Sequence, residues 1–230
     1  MPPSIPRCGS PARRASSARV RWWWKVSSAS ADGYHRRGMG ISEDRIRWNR
    51  KYSEPAFEPN WAPDLVLAEK ISELPPGRAL DLACGIGQNA LFLAKRGYEV
   101  SAVDLSDVAL ERLRRAARAE GVLHRIHLQH GDVKTLPLET DAFDVVLVFR
   151  FLARQVCPKL YTALKPGGVL LYQTYTTAHR RFHPGFREEF CLKPGELRAL
   201  FGDLEERFYE EVEDPERRVA YATFLGRRPD

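Results

Sequence analysis

Cysteine is scarce in this 230-residue chain: Cys8, Cys84, Cys157 and Cys191 are all it has, and their spacing is neither of the zinc nor of the disulfide kind. That excludes a disulfide-stapled scaffold and a zinc ribbon, and it reads as isolated, reduced thiols of a cytoplasmic protein. Long apolar runs are missing too. No stretch approaches the roughly 18 residues of a membrane span, so no part is expected to cross a bilayer. Acids are nearly absent from the first 38 residues, where Asp32 stands alone against eight Lys and Arg. The formal net charge of +6 therefore sits outside the rest of the chain: residues 39–230 hold 28 basic and 29 acidic side chains. A basic footprint for nucleic acid is not expected in that folded part.

The same 38 residues carry Pro2, Pro3, Pro6 and Pro11 among many serines, too little periodic apolar sequence to build a core. They read as a disordered basic extension. Three origins stay open: translated sequence upstream of a start at Met39, an Arg- and Ser-rich targeting segment, or a functional tail. Trp22-Trp23-Trp24, between Arg21 and Lys25, could dip into a membrane interface but is too short to span one.

Residues 39–230 form the expected single domain. A helix carrying Ile46, Trp48 and Tyr52 leads into a Pro-rich turn over 54–63, and Asp64 is placed to cap a second helix that ends at Pro75-Pro76-Gly77. From there β and α patterns alternate. Strands are predicted over 78–83, 98–103, 125–130, 143–149 and 169–175, with helices over 88–95, 106–120 and 152–164 between them. Such alternation predicts a doubly wound, mostly parallel sheet of the α/β class. After a helix at 196–201, strands over 205–212 and 220–225 are joined by a short turn at Asp214-Pro215, which forces them antiparallel. The expected fold is therefore a seven-stranded, Rossmann-like sheet closed by a C-terminal hairpin.

The most informative stretch is Arg78-Ala-Leu-Asp81-Leu-Ala-Cys-Gly85-Ile-Gly87-Gln-Asn-Ala90. Glycines at a strand-to-helix turn let backbone approach a ligand, and the helix behind them offers free N–H groups. Gly85-x-Gly87-x-x-Ala90, with Asp104 placed for a ribose, formally satisfies a dinucleotide fingerprint. Asp81 argues the other way. A carboxylate four residues before the first glycine would repel a pyrophosphate and suits a cation such as an α-amino group. Gly131-Asp132 after the third strand offers an acceptor to an adenine amino group. Lys165-Pro166-Gly167-Gly168 turns into the fifth strand.

These residues, with the closing hairpin, resemble the class I S-adenosylmethionine-dependent methyltransferases. The resemblance implies S-adenosylmethionine as cofactor and a role for each matching position. Asp81, Gly85 and Gly87 would lie against its methionine part, Asp104 would hold the ribose hydroxyls, Leu105 would stand beside the adenine, and Asp132 and Val133 at its edge. Phe149 would face both cofactor and substrate. Asp81 as an acid paired elsewhere, Asp104 as a plain helix-capping neighbour and Leu105 as plain core stay open beside these roles.

Trp48-x-x-x-Tyr52, Val148-Phe149-Arg150-Phe151-Leu152 and Leu192-x-Pro194-Gly195-Glu196-Leu197 further resemble small bacterial enzymes of the tellurite-resistance (TehB-like) type. That likeness implies an N-terminal lid in which Trp48 and Tyr52, four apart on one helix face, cover the cofactor; they could equally be packing aromatics. On the substrate side, Arg150 would steer an anionic acceptor or else form a salt bridge at the sheet edge, Tyr175 is the second candidate, and Arg154 reads as solvated helix surface. The loop over 180–186 is the expected substrate-pocket loop. No general base is evident, and the catalytic residue is left unassigned. Metal is not expected: His179-x-x-x-His183 lacks a third ligand, and His124, His127 and His130 scatter over both faces of a strand.

The leading reading is a methyltransferase acting on a small molecule by in-line displacement. Beside it stand a methyltransferase of RNA or protein, a non-catalytic cofactor-binding module, and a dehydrogenase. No Asn-Pro-Pro-Tyr-like tetrapeptide follows the fourth strand, which argues against base amino methylation.

Overall fold

The computed structural model describes residues 42–230, and the extension expected at 1–38, Trp22-Trp23-Trp24 included, lies outside them. Two helices precede the sheet. Ser42 caps α1 (Glu43–Ser53), its hydroxyl accepting the Arg45 N–H, with Glu43 and Asp44 in the first turn and Arg50 and Lys51 in the last. Both charge placements suit the helix dipole. The second helix, α2 (Leu65–Lys70), has Asp64 at its N-cap position, as expected, but the carboxylate makes no cap bond. It is drawn instead to Arg150, because an ion pair with a buried guanidinium outweighs one neutral N–H contact.

All seven expected strands form: β1 (Arg78–Leu82), β2 (Glu99–Asp104), β3 (Ile126–His130), β4 (Phe143–Phe149), β5 (Leu164–Tyr175), β6 (Glu205–Asp214) and β7 (Val219–Arg227). Among the described residues they make one sheet of order β3-β2-β1-β4-β5-β7-β6. The first five run parallel, β7 runs antiparallel to β5, and β6 pairs antiparallel with β7. The helices α3 (Gln88–Ala94), α4 (Asp107–Ala119), α5 (Cys157–Ala163) and α6 (Glu196–Leu200) complete the element order.

The helix expected over 152–164 is shorter. Ala153 is extended (φ −143°, ψ 98°), a single 3-10 turn follows at Arg154–Val156, and α5 begins only at Cys157, with Pro158 in its first turn. A proline has no N–H to give, so it opens a helix far more readily than it continues one. β5 is longer than expected because Leu164 pairs with Phe143 before residues 165–168 loop out and pairing resumes at Val169.

Alternation along β4 shows how the sheet is buried. Val145 and Leu147 pack with Ala79, Leu93 of α3 and Leu113 of α4 on one face, while Val146 and Val148 pack with Leu80, Leu82 and Leu160 of α5 on the other. Apolar side chains on both faces are what a helix-covered parallel sheet requires. Ser106 caps α4 by accepting the Ala109 N–H, which turns Leu110, Leu113 and Ala117 inward.

Strand order reverses between β1 and β4. The chain leaves β1 toward β2 on one side and leaves β4 toward β5 on the other, which opens a crevice above their C-terminal ends. The register Tyr175↔Tyr221 brings the start of β7 to the same edge.

Candidate cofactor and acceptor site

A cavity of about 1040 Å³ occupies that crevice. Asp81, Gly85, Asp104, Leu105, Asp132, Val133, Phe149, Arg150, Tyr175, Trp48 and Tyr52 all line it, so nearly every site residue read from the sequence meets there. Gly87 stands one step behind. Its φ of +75° starts α3, and a Cβ there would fall 2.3 Å from Cδ2 of Leu113. Gly85, at φ +58°, has no room for a Cβ either, because the Tyr52 hydroxyl would lie 2.8 Å from it. Only glycine fits either position without strain.

Asp81 is 2% exposed, and its Oδ2 has no hydrogen-bond partner. Burial, reinforced by the Asp64 carboxylate, pushes it from 3.8 up to about 8; the Ala90 N–H and Arg150 act against this. A buried carboxyl with an unused oxygen beside a glycine turn fits an alkylammonium group and would repel a pyrophosphate. Asp104 is satisfied differently. Its Oδ2 accepts the Gly85 N–H at 2.7 Å and its Oδ1 the Ser106 N–H at 2.8 Å. A carboxylate has about four acceptor positions, so acceptor capacity remains for a hydroxyl. The donor set therefore fits the zwitterion and ribose of S-adenosylmethionine. Asp132 is half-buried at the far end, and one of its oxygens accepts the Lys134 N–H at 2.9 Å.

α1 lies across this end as an aromatic cover. Trp48 stacks on Tyr52 (5.8 Å, 21°), and Phe57 meets the Tyr52 edge (5.3 Å, 90°). The helix is fixed to α4 through Asn49, which accepts from the Ser106 hydroxyl and donates to Asp107, and through Arg112, which donates to the Tyr52 carbonyl at 2.8 Å.

The other end of the cavity belongs to β4, β5 and β7. Arg150 leaves β4 with φ +53°, a left-handed conformation unusual for arginine, and forks onto both oxygens of Asp64. Asn89 of α3 also donates to that carboxylate at 2.9 Å and accepts the Asp64 N–H at 3.0 Å. Arg150 is thus salt-bridged, as one reading expected, and it also lines the cavity. Tyr175 stacks between His179 (4.2 Å) and Tyr221 (5.2 Å), with Phe186 against its edge. His179 accepts the Ala220 N–H through Nδ1, which leaves the proton on Nε2, and burial, then His183, lowers its pKa to about 4. It is a neutral donor at physiological pH.

Asp64, Lys51, His179 and Tyr221 were not singled out from the sequence for this cavity. Lys51 had a readable signal, three residues after Trp48 and so on its helix face. Asp64 and Tyr221 had none, since their positions follow from α2 and β7 docking on β4 and β5. Within the expected pocket loop, His183 and Phe186 do reach the cavity, while Arg180 and Arg181 pair with Glu188 and Glu213. Arg154 is not solvated helix surface: it forks onto Glu196 and donates to the carbonyls of Glu189 and Cys191. The extended chain at 152–153 swings it toward that loop. Among the described residues no group of three or more His, Cys, Asp or Glu could hold a metal ion.

A family described as a methyltransferase domain matches residues 79–168, the stretch from β1 to the turn before Val169 that builds most of this crevice. In its fold and its acid–glycine–acid site, taken with that match, the chain resembles the class I S-adenosylmethionine-dependent methyltransferases. TehB from Haemophilus influenzae shares its fold with a TM-score of 0.63 at 20% identity, covering 80% of this chain and 66% of that one. A sarcosine/dimethylglycine N-methyltransferase of Aphanothece halophytica is 28% identical over 152 residues, 63% of this chain and 55% of its own length. A tRNA 5-carboxymethoxyuridine methyltransferase of Escherichia coli K12 is 36% identical over 104 residues, 43% of this chain and 40% of its own. The chain thus spans about half of each of these two relatives. Among the described residues, no helix is long and apolar enough to cross a membrane.

Proposed function

We propose that this chain transfers a methyl group from S-adenosylmethionine to a small-molecule acceptor by in-line displacement. The observation that carries the reading is the orphaned Oδ2 of buried Asp81 above the Gly85 turn, a place built for an ammonium group. Asp81 would hold that ammonium, Asp104 the ribose hydroxyls, Leu105 would stand beside the adenine, and Asp132 and Val133 at its edge. When bound, S-adenosylmethionine supplies an electrophilic methyl: the acceptor's lone pair forms the new bond to carbon while the carbon–sulfur pair passes to sulfur and cancels its charge.

The protein's part is then positioning and exclusion of water. Trp48, Tyr52 and Phe57 close one side, and Tyr175, His179 and Phe186 wall the other. An acceptor that reaches between these walls must be small or present a thin end. His179, neutral and donating through Nε2, suits an acceptor oxygen better than it suits proton abstraction. The tRNA relative favours RNA as a second reading. The near-balance of acidic and basic residues over 39–230 speaks against it, since an RNA groove draws on an excess of positive charge.

Isothermal titration with S-adenosylmethionine, S-adenosylhomocysteine and NAD tests the cofactor, with both adenosyl compounds expected to bind and NAD not. Preference for NAD would sink the proposal. A panel of thiols, selenite, tellurite and small phenols, scored by formation of S-adenosylhomocysteine, tests the acceptor. Cofactor binding with no turnover on any of them, but methylation of tRNA, would transfer the case to the second reading.

A further inference from the structure

His179 has one ring nitrogen in use and one to spare. It belongs to the 3-10 turn Thr177–Arg181 that follows β5, is 4% exposed and lines the cavity. Its backbone is pinned: the N–H donates to the Thr176 carbonyl at 3.0 Å, and the carbonyl accepts from Phe182 and His183, each at 3.1 Å. Its ring is pinned as well. Tyr175 stacks on it at 4.2 Å, His183 lies 4.6 Å away, and Phe186 stands at 89° to it. Nδ1 accepts the Ala220 N–H at 3.3 Å, so the proton of the neutral ring sits on Nε2. That N–H makes no hydrogen bond with any described residue. A donor taken out of water and left unspent costs free energy unless something else accepts from it.

The cofactor end of the cavity lies elsewhere. Asp81 stands on β1, whereas Ala220, the partner of His179, sits near the start of β7, three places further across the sheet. At about 4.8 Å per strand that is roughly 14 Å, too far for any group attached to the carbon that bears the ammonium. The ribose and adenine positions, at Asp104 and Asp132, follow β2 and β3 in the opposite direction. The charged neighbour that acts on His179 is His183, not a cofactor-side acid. Around the spare nitrogen the wall is flat and aromatic: Tyr175 stacks on Tyr221 as well as on His179, and Phe186 meets its edge. Such rings favour another ring, face-on or edge-on. Sites for single drug-sized ligands run to roughly 1,000 Å³, and this cavity, at about 1040 Å³, has room for a ring compound next to a cofactor.

We propose that the acceptor is a small uncharged aromatic compound whose ring lies against Tyr175, Tyr221 and Phe186, and that His179 selects it by donating its Nε2–H to a hydroxyl or carbonyl oxygen on that compound. This rests on the methyltransferase reading and deepens it: His179 becomes the residue that recognises the acceptor.

The test titrates the full chain, saturated with S-adenosylhomocysteine, with phenol against toluene and acetophenone against α-methylstyrene, followed by ligand NMR signals. Within each pair an oxygen group is exchanged for a carbon group of the same shape. The oxygen compound should bind about tenfold more tightly, since its counterpart leaves Nε2–H buried without a partner. In the parent, the Nε2 proton of His179 should shift with acetophenone and stay in place with α-methylstyrene. Asn carries an oxygen near the place of Nδ1 and nothing at Nε2, while Gln carries its amide nitrogen near Nε2. His179→Asn should therefore erase the preference, His179→Gln should keep part of it, and both should bind S-adenosylhomocysteine within about threefold of the parent. Equal binding within each pair, or binding of neither member, would overturn the proposal, as would a preference that survives in His179→Asn. If that variant does not fold, the Nε2 proton of the parent decides, and an unshifted signal overturns the proposal. Loss of S-adenosylhomocysteine affinity in either variant would overturn it in favour of a role at the cofactor. If the parent does not bind S-adenosylhomocysteine at all, the methyltransferase reading falls and this proposal with it, whereas a bound complex without oxygen preference removes this proposal alone.

Discussion

A carboxyl group held near 8 inside a cavity proposed to take a cation would link binding to pH. Asp81 is protonated below about 8 in the free protein, yet it must ionise to hold an ammonium group. Affinity for S-adenosylhomocysteine should therefore rise from pH 6 to about 8 and then level off. Close to one proton should leave on binding at pH 7, seen as an enthalpy that varies with the buffer's own ionisation heat. Stability runs the opposite way. Because the folded value lies above the unfolded 3.8, the native state holds more protons between the two. Asp81's contribution is thus full below about 4 and is lost as pH rises toward 8, with a slope approaching about 1.4 kcal/mol per pH unit. Asp81→Asn should flatten that slope and weaken the cofactor complex; an unchanged pH profile of unfolding would remove Asp81 as its source. At the neighbouring acid, Asp104→Ala should cost about 1–3 kcal/mol of cofactor affinity, the penalty of unpaired hydroxyls, and calorimetry reads it directly. That Asp81 and Asp104 meet at one cavity was legible in the chain because a strand acid, a glycine turn and a second strand acid follow one another at fixed spacing. The missing partner of Asp81 was not legible, since orphaning depends on what every other element leaves empty.

Elements that close the crevice depend on one buried ion pair. Asp64 at the start of α2 and Arg150 at the end of β4 are both largely buried, and Asn89 of α3 completes the junction. Removing one partner leaves a charge without compensation, so Asp64→Ala should destabilise the fold by about 3–5 kcal/mol. The double variant Asp64→Ala/Arg150→Met should recover much of that loss, and urea unfolding of the single and double variants measures the coupling. Full additivity would show that the pair is not coupled. The sequence presented Asp64 as a plain helix cap. Its diversion to Arg150 follows from a contact across 86 positions of chain, which no local pattern encodes. The late start of α5 was missed in the expected helix over 152–164, although Pro158, in its first turn, is a local signal for it.

At the scale of the whole molecule, two apolar faces on one sheet make the fold, and a bound cofactor would add to its stability. Saturation with S-adenosylhomocysteine at about one hundred times its dissociation constant should stabilise the protein by about 2.7 kcal/mol. The thermal midpoint should rise accordingly, and NAD at equal concentration should leave it unchanged. The sequence by itself determined the α/β class, the strand positions, the closing hairpin and the acid–glycine–acid signature. Each of these is written in short-range periodicity and turn chemistry, which act between residues close along the chain. Only the tertiary structure decided which side chains face one another across the crevice: Asp64 on Arg150, Tyr221 on Tyr175, and Lys51 over Trp48 and Tyr52. These pairings depend on how α1, α2 and β7 dock on the sheet, and docking is settled by the burial of whole faces rather than by any one residue's neighbours.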